Sequence, residues 1–242
     1  MSPCEVTLNS REDVAEGTMA FHFDKPPGFS FKAGQAVELI LGDSSAPGSV
    51  AENARHAFSL VSAPFERRLT VATRMRDSAF KRALKALPIG ARIQLDGPFG
   101  SLTLHHNRSR PAILIAGGIG ITPFICMLRQ ATHDQLPQRL ILLYSNRRPE
   151  DAAFLSELQG LATRNPNFLL VATMTQMDRS SQPWTGERGA IGSELVRRIA
   201  ADLTAPICYL AGPPTMVAGV RETLNAAGID DDDVRAEEFF GY

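Results

Sequence analysis

The stretch AILIAGGIGITPFICML, residues 112–128, carries no charged side chain over seventeen positions, and three glycines interrupt it. It is too short for a membrane-spanning helix, which needs about 20 apolar residues. The continuous apolar run at 112–116 is typical of a strand buried on both faces of a parallel sheet. We therefore expect a buried strand that is followed by a turn at Gly117, Gly118 and Gly120.

The residues after the glycines predict the start of a helix that runs to Gln130. Thr122 is expected to cap this helix, and Pro123 suits its first position, where no backbone N–H is needed. A strand, a glycine turn and a helix N-terminus together direct free N–H groups and the positive end of the helix dipole at one place. This stretch therefore predicts a phosphate-binding site.

Composition excludes several classes of function. The chain has 242 residues, 44% of them apolar and 21% charged, and its net charge of −1 argues against a nucleic-acid-binding protein. The three cysteines, Cys4, Cys126 and Cys208, lack the spacing of an iron–sulfur or zinc site, so we expect no metal. The first residues show no secretory signal. With the odd number of cysteines, this favours a cytoplasmic protein without a membrane span.

The two halves of the chain have different patterns. In the first hundred residues short apolar stretches alternate with turn signals, which predicts an antiparallel β-barrel or sandwich with one helix at 78–87. After residue 100, apolar runs alternate with helical patterns, which predicts a parallel α/β sheet. A polar stretch at 105–110 separates the halves, so we expect domains at 1–106 and 107–242. Strands are expected at 5–10, 18–23, 35–41, 56–62, 69–74, 92–95, 112–116, 140–144, 168–173 and 207–211, and the later helices at 123–130, 150–162, 193–201 and 215–226.

Four motifs in order resemble one family, the ferredoxin–NADP reductases. They are RHAFSLVS (55–62), GGIGITP (117–123), AGPPTM (211–216) and EEFFGY (237–242). The resemblance covers nearly the whole chain. It implies an N-terminal antiparallel Greek-key barrel that binds FAD, followed by a parallel-sheet α/β domain that binds NADPH or NADH.

The resemblance also implies a flavin site on the segment 55–59. The family pattern is Arg, any residue, Tyr, Ser, and the frame HAFS puts Phe58 in the aromatic place and Ser59 near the reacting flavin nitrogen, with Ala57 between His56 and Phe58. His56 stands in the place of the Arg that meets the FAD pyrophosphate. Arg55 is one residue early, and because side chains alternate on a strand, it is expected to point away unless a bulge re-aims it. Both residues remain candidates.

A second flavin-binding segment is expected at TRMRDSAF, residues 73–80. Ser78 begins the predicted helix, so the helix N-terminus can receive a phosphate there. Arg74 can neutralise the same group, and Met75 lies in the same segment. The alternative is an ordinary helix cap with solvated arginines.

The nicotinamide nucleotide is expected at the ends of the parallel strands. Gly117, Gly118, Gly120, Thr122 and Pro123 resemble the family's pyrophosphate loop. Ser145, Arg147 and Arg148 follow the next strand and can hold a 2′-phosphate, which favours NADPH over NADH. Gly212 and Pro213 resemble the loop beside the nicotinamide, where Ala211 replaces a Cys found in many relatives.

The end of the chain completes the expected catalytic set. Tyr242, with Phe239 or Phe240 as an alternative ring, is expected to cover the flavin. Glu238 joins Ser59 and Tyr242 as a catalytic residue.

These features predict an FAD-dependent reductase that passes electrons to a separate acceptor, such as a small acidic ferredoxin or flavodoxin or an oxygenase component. A basic excess between Glu66 and Arg92 can steer an acidic partner. The alternatives are a flavin or ferric reductase with a small acceptor, and a nucleotide-binding subunit without turnover.

Overall fold

A computed structural model describes residues 3–42 and 55–240, which form two six-stranded sheets. The first sheet is antiparallel and the second is parallel. The predicted order of a β-barrel and then an α/β domain is therefore confirmed. The first sheet and its helix consist of β1 (Cys4–Ala15), β2 (Thr18–Asp24), β3 (Ala36–Ile40), β4 (Arg55–Ser59), β5 (Arg68–Arg74), α1 (Ala79–Ala86) and β6 (Arg92–Phe99).

The second part consists of β7 (Ala112–Gly117), α2 (Thr122–His133), β8 (Leu140–Asn146), α3 (Leu155–Arg164), β9 (Phe168–Met174), β10 (Glu187–Arg188), α4 (Ser193–Ala200), β11 (Ile207–Gly212), α5 (Pro214–Ala226) and β12 (Val234–Glu238). Within the described residues, no helix combines the length and apolarity that crossing a membrane requires.

The first sheet closes into a barrel. Its strand order is β4-β3-β6-β1-β2-β5, and Leu60, just after β4, bridges to Val71 of β5 at the other edge. The Val61 N–H also donates to the Thr70 carbonyl oxygen at 2.8 Å, so the two edges meet at this point. The barrel interior is filled by buried aliphatic and aromatic side chains, and Phe80 and Leu84 of α1 pack against the same core.

The apolar run of β7 reflects burial on both faces of the parallel sheet. Leu114 packs with Phe124 of α2 and residues of α3, whereas Ile115 packs with Val217 of α5 and residues of α4. The strand order is β10-β9-β8-β7-β11-β12. The strands β8, β9 and β10 therefore extend the sheet on one side of β7, and β11 and β12 extend it on the other side. Ligands bind at such a switch point in open α/β sheets, outside the carboxyl ends of the strands.

Three local predictions need correction. β10 and β12 were not predicted, because β10 has two residues and β12 contains mostly charged and small residues. The helix predicted at 150–162 is split into a 3-10 turn, Pro149–Asp151, and α3. Phe154, with a φ of 61°, interrupts the helical path between them.

Thr122 does not cap α2 as predicted. A 3-10 turn, Gly118–Ile121, runs directly into α2, and Ile121 already has helical dihedrals of −64° and −22°. No extended capping position is left, so the Thr122 hydroxyl donates back to the Ile119 carbonyl oxygen at 3.1 Å. Thr122 is the first residue of α2 and Pro123 the second.

The three glycines of the turn have different roles. A Cβ at Gly120 would lie 2.1 Å from the Ala211 carbonyl oxygen, and one at Gly117 would lie 2.9 Å from the Met216 sulfur. Gly118 has a φ of +54° and open space around its missing Cβ. Gly117 and Gly120 therefore allow close packing, whereas Gly118 provides the left-handed turn and leaves its backbone accessible.

We expect Gly120→Ala to destabilise the fold by about 1–3 kcal/mol or more, because its Cβ meets backbone rather than a flexible side chain. Gly160→Ala in α3 is the matched control. Nothing lies within 4 Å of its added Cβ, so the exchange should stabilise the protein by about 0.5–1 kcal/mol. Urea unfolding measures both. A Gly120→Ala protein as stable as wild type would contradict the packing role.

Candidate functional site

A cavity of about 250 Å³ lies where the barrel meets the carboxyl ends of the parallel strands. Its wall comes from segments that are far apart in sequence and that the fold brings together. Aromatic, hydroxyl, cationic and acidic side chains all contribute to it. The lining residues are Ala36, His56, Ala57, Phe58, Ser59, Ala72, Thr73, Lys81, Phe99, Ile119, Thr122, Glu237, Glu238, Phe239 and Phe240.

The barrel side of the cavity contains the segment predicted for a flavin. The His56 and Phe58 rings are stacked with centroids 4.7 Å apart, and Ser59 is buried beside them. Arg55 instead forms an ion pair with Glu38 at 3.0 Å and does not line the cavity. The four residues that follow Arg55 on β4 line the cavity, whereas Arg55 is held outside it by Glu38.

His56 is not a strong source of positive charge in this position. Burial lowers the pKa of His56, and the nearby ammonium of Lys81 lowers it further. Its Nδ1 lies 3.1 Å from the Ala57 carbonyl oxygen, which is a suitable acceptor for an Nδ1–H. The neutral imidazole is the favoured form at pH 7.

The start of α1 lies next to this wall. Ser78 caps the helix as predicted, and its hydroxyl oxygen accepts from the Lys81 backbone N–H at 3.2 Å. Lys81 itself is only 6% exposed and lines the cavity. Burial lowers the pKa of Lys81, and the neighbouring Arg76 contributes in the same direction.

Arg74 and Met75, which were also predicted to bind the flavin, contact neighbouring elements. Arg74 Nη2 lies 3.5 Å from the Asp151 carbonyl oxygen in the parallel-sheet domain. The Met75 backbone N–H donates to the Gly17 carbonyl oxygen at 2.7 Å. Neither residue lines the cavity. Arg74 thus contacts the parallel-sheet domain, whereas Met75 joins the end of β5 to the turn between β1 and β2.

The turn after β7 and the start of α5 are in contact. A Cβ at Gly117 would lie 3.3 Å from Pro213 Cδ, and one at Gly120 would lie 2.8 Å from the Gly212 nitrogen. Thr122 and Ile119 extend from this turn into the cavity wall. The motifs GGIGITP and AGPPTM thus form one surface at the switch point.

The end of β12 forms the opposite wall. Ala211 and Gly212 pair with Glu237 and Glu238, and the Phe239 N–H donates to the Gly212 carbonyl oxygen at 2.9 Å. Glu238 is exposed, whereas Glu237 is partly buried, and burial raises the pKa of Glu237. Tyr242 lies outside the described residues.

The three residues expected to bind a 2′-phosphate lie at the end of β8 or just after it, and they have different surroundings. Ser145 pairs with Gly117 at the end of the ladder, and Arg147 is exposed. Arg148 forms two 2.9 Å hydrogen bonds with Asp151 and one of 3.0 Å with Glu16 of the barrel. The Arg148 hydrogen bonds hold the pKa of Asp151 below its usual range. Arg148 is therefore engaged in joining the two domains.

Lys81 and Glu237 are site residues that sequence reasoning missed. Lys81 belongs to a basic helix, whose lysines are usually solvated, and its burial depends on how α1 packs in the folded protein. The only local signal was its position in the first turn after Ser78. Glu237 was not separated from Glu238 because β12 was not predicted, and its alternating faces were therefore not considered.

We expect Glu237→Gln to gain stability relative to wild type as the pH rises above about 4.3, the usual pKa of a glutamate. Because burial raises the pKa of Glu237 in the folded state, the stabilising proton is present at low pH and is lost at higher pH. Urea unfolding between pH 4 and 8 measures the difference. Glu238→Gln, at an exposed position, is the control, and equal profiles for both variants would contradict the burial of Glu237.

Known proteins resemble the chain over most of its length. A family model described as an oxidoreductase NAD-binding domain matches residues 114–222. The ferredoxin–NADP reductase B of Sorangium cellulosum is 30% identical over 229 residues, covering 91% of this chain and 90% of that protein. The glycine betaine monooxygenase reductase subunit of Chromohalobacter salexigens is 27% identical over 237 residues, covering 98% of this chain and 63% of that protein. The chain spans less than two thirds of the length of several curated relatives.

Solved structures show the same fold. A ferredoxin–NADP⁺ reductase from Neisseria gonorrhoeae with bound FAD and NADP has a TM-score of 0.79 at 23% identity, covering 99% of this chain and 100% of that chain. A cytochrome P450 reductase from Amycolatopsis has a TM-score of 0.80 at 22% identity, covering 98% of this chain and 70% of that chain.

Proposed function

We propose that this chain, which belongs to the ferredoxin–NADP reductase family, is an FAD-dependent reductase that oxidises NADPH and passes electrons to a separate acceptor. The observation that carries the proposal is the cavity between the barrel and the switch point of the parallel sheet. It brings the segment 56–59 together with the glycine turn after β7. The segment proposed to bind the flavin and the turn proposed to bind the nicotinamide nucleotide thereby border the same cavity.

The residues of the cavity suit a flavin dinucleotide. Phe58 and Phe239 offer apolar surface to a flat ring, Ser59 offers a hydroxyl, and the buried ammonium of Lys81 suits a phosphate. A bound flavin would supply the redox chemistry, accepting a hydride from the reduced nicotinamide and releasing electrons singly or as a pair. The protein's share is to orient the two ligands, to offer hydrogen bonds and to exclude water.

NADPH is proposed as the donor because its parts match the carboxyl edge of the sheet. The open backbone at Gly118 and the N-terminus of α2 suit the pyrophosphate. Ser145 and Arg147 suit the 2′-phosphate, and Arg148 is left out because Asp151 and Glu16 already bind it. Gly212 and Pro213 border the space for the nicotinamide.

A protein acceptor, such as an acidic ferredoxin or flavodoxin or an oxygenase component, is proposed from the surface near the cavity. Phe99 and Phe240 are exposed at its wall, and Lys85 is exposed on α1. An apolar contact with a basic surround suits an acidic redox protein. The names of the two relatives, a monooxygenase reductase subunit and a ferredoxin–NADP reductase, also favour a separate protein acceptor.

Anaerobic titration of the purified, FAD-loaded protein with NADPH tests the proposal. We expect the flavin absorbance to bleach with one equivalent of NADPH, and more slowly with NADH. Reduction of an added ferredoxin, compared with free flavin and ferric ions, then identifies the class of acceptor. A protein that binds FAD but is not reduced by either nucleotide would be a binding subunit, which would contradict the proposal.

Ser59→Ala should slow flavin reduction by about 100–1,000-fold, the range for losing one hydrogen-bond donor at a reacting centre. Flavin affinity should change much less, because only the hydroxyl is lost. Stopped-flow reduction and a flavin titration measure the two effects.

Ser62→Ala is the contrasting control. The Ser62 hydroxyl oxygen accepts from the Thr70 backbone N–H at 2.9 Å in the barrel, and Ser62 does not line the cavity. Its loss should lower stability and leave the reduction rate of the folded protein close to wild type. An unchanged rate in Ser59→Ala would remove Ser59 from the reaction.

A further inference from the structure

Lys81 is a buried cation without an acidic partner in the described part of the chain. The residue is 6% exposed, and no carboxylate of the described residues lies within ion-pair distance of its ammonium. Lysine is almost never fully buried unless it is paired, because a lone charge loses its hydration without compensation. An anion in the cavity would provide the missing compensation.

The surroundings of Lys81 are electropositive. It lies in the first turn of α1, which contains no acidic residue, and the positive end of the helix dipole disfavours a cation there. Arg76 adds a second positive charge nearby, and together with burial it lowers the pKa of Lys81. A lysine at this end of a helix lowers the stability of the ligand-free protein and strengthens the binding of an anionic ligand.

His56 lies close enough to Lys81 for the ammonium to contribute to the lowered pKa of His56, and both residues line the same cavity. Because the imidazole is mainly neutral there, β4 supplies no full positive charge to the cavity. Arg55, the only arginine of β4, is paired with Glu38 outside the cavity. The cation that faces the cavity from this side is therefore Lys81.

We propose that the Lys81 side chain binds the phosphate groups of the flavin cofactor and supplies the charge that β4 lacks. This inference rests on the proposed function, since it needs a flavin in the cavity. It predicts that the chain discriminates between flavins by their phosphates. FAD should bind far more tightly than riboflavin, and Lys81 should carry much of that difference.

Flavin binding to the apoprotein tests the assignment. In Lys81→Met we expect the Kd for FAD to rise about 10- to 100-fold, the range for one charge-assisted hydrogen bond, and the Kd for riboflavin to stay within about threefold of wild type. Lys85→Met, on the exposed side of the same helix, is the matched control and should leave both values unchanged. Fluorescence quenching of each flavin gives the Kd.

Thermal unfolding provides a second measurement, in which the variant is expected to be more stable than wild type when no flavin is bound. Without flavin, Lys81→Met should melt at a higher temperature than wild type, because it removes an uncompensated buried charge. With saturating FAD, wild type should gain more stability than the variant. A structural lysine would give a less stable apoprotein and no selective effect on FAD.

The outcomes separate this inference from the proposed function. If wild type binds FAD and Lys81→Met binds it equally well, Lys81 is not the phosphate ligand, while the flavoprotein assignment stands. If wild type binds neither FAD nor riboflavin, both proposals fail. Should Lys81→Met not fold, Lys81→Gln must lose FAD affinity and Lys81→Arg must keep it within about threefold; equal affinities in the two would overturn the inference.

Discussion

The backbone of residues 117–121 passes so close to Ala211 that no side chain fits at Gly120, whose Cβ would lie 2.1 Å from the Ala211 carbonyl oxygen. Ala211 also pairs with Ala116 on one side and with Glu237 on the other. One close contact therefore fixes the glycine turn, the start of α5 and the end of β12 relative to one another. The whole sheet side of the cavity depends on this contact.

The barrel side is held to the sheet side by polar contacts across the seam. Arg129 of α2 donates to the Val61 carbonyl oxygen at 3.1 Å and pairs with Glu66 at 3.3 Å. At the other end of the seam, Arg148 reaches Glu16 of the barrel. These contacts keep the two walls at a set distance, so ligands in the cavity and at the switch point would meet in a defined orientation. Such positioning is what the protein contributes to a reaction carried by cofactors.

The sequence predicted the elements whose patterns are local. The run at 112–116 predicted β7 because every residue of that strand is buried, and Ser78 predicted the start of α1 because a serine cap acts within its own turn. β12 was missed because its sequence, VRAEE, gains its place from pairing with β11 rather than from an apolar pattern. The buried state of Lys81 is likewise a product of packing between elements that are distant in sequence. The capping role given to Thr122 was wrong because the preceding 3-10 turn, which the glycines permit, already continues into α2.

A crystal structure of the protein with bound FAD tests the central claim most directly, since it locates the ring and the phosphates independently of activity. The predicted result is a flavin ring in the cavity beside Phe58 and Ser59, with its pyrophosphate within hydrogen-bond distance of Lys81. A dinucleotide bound with its ring outside this cavity, or with its phosphates away from α1, would contradict the proposed arrangement.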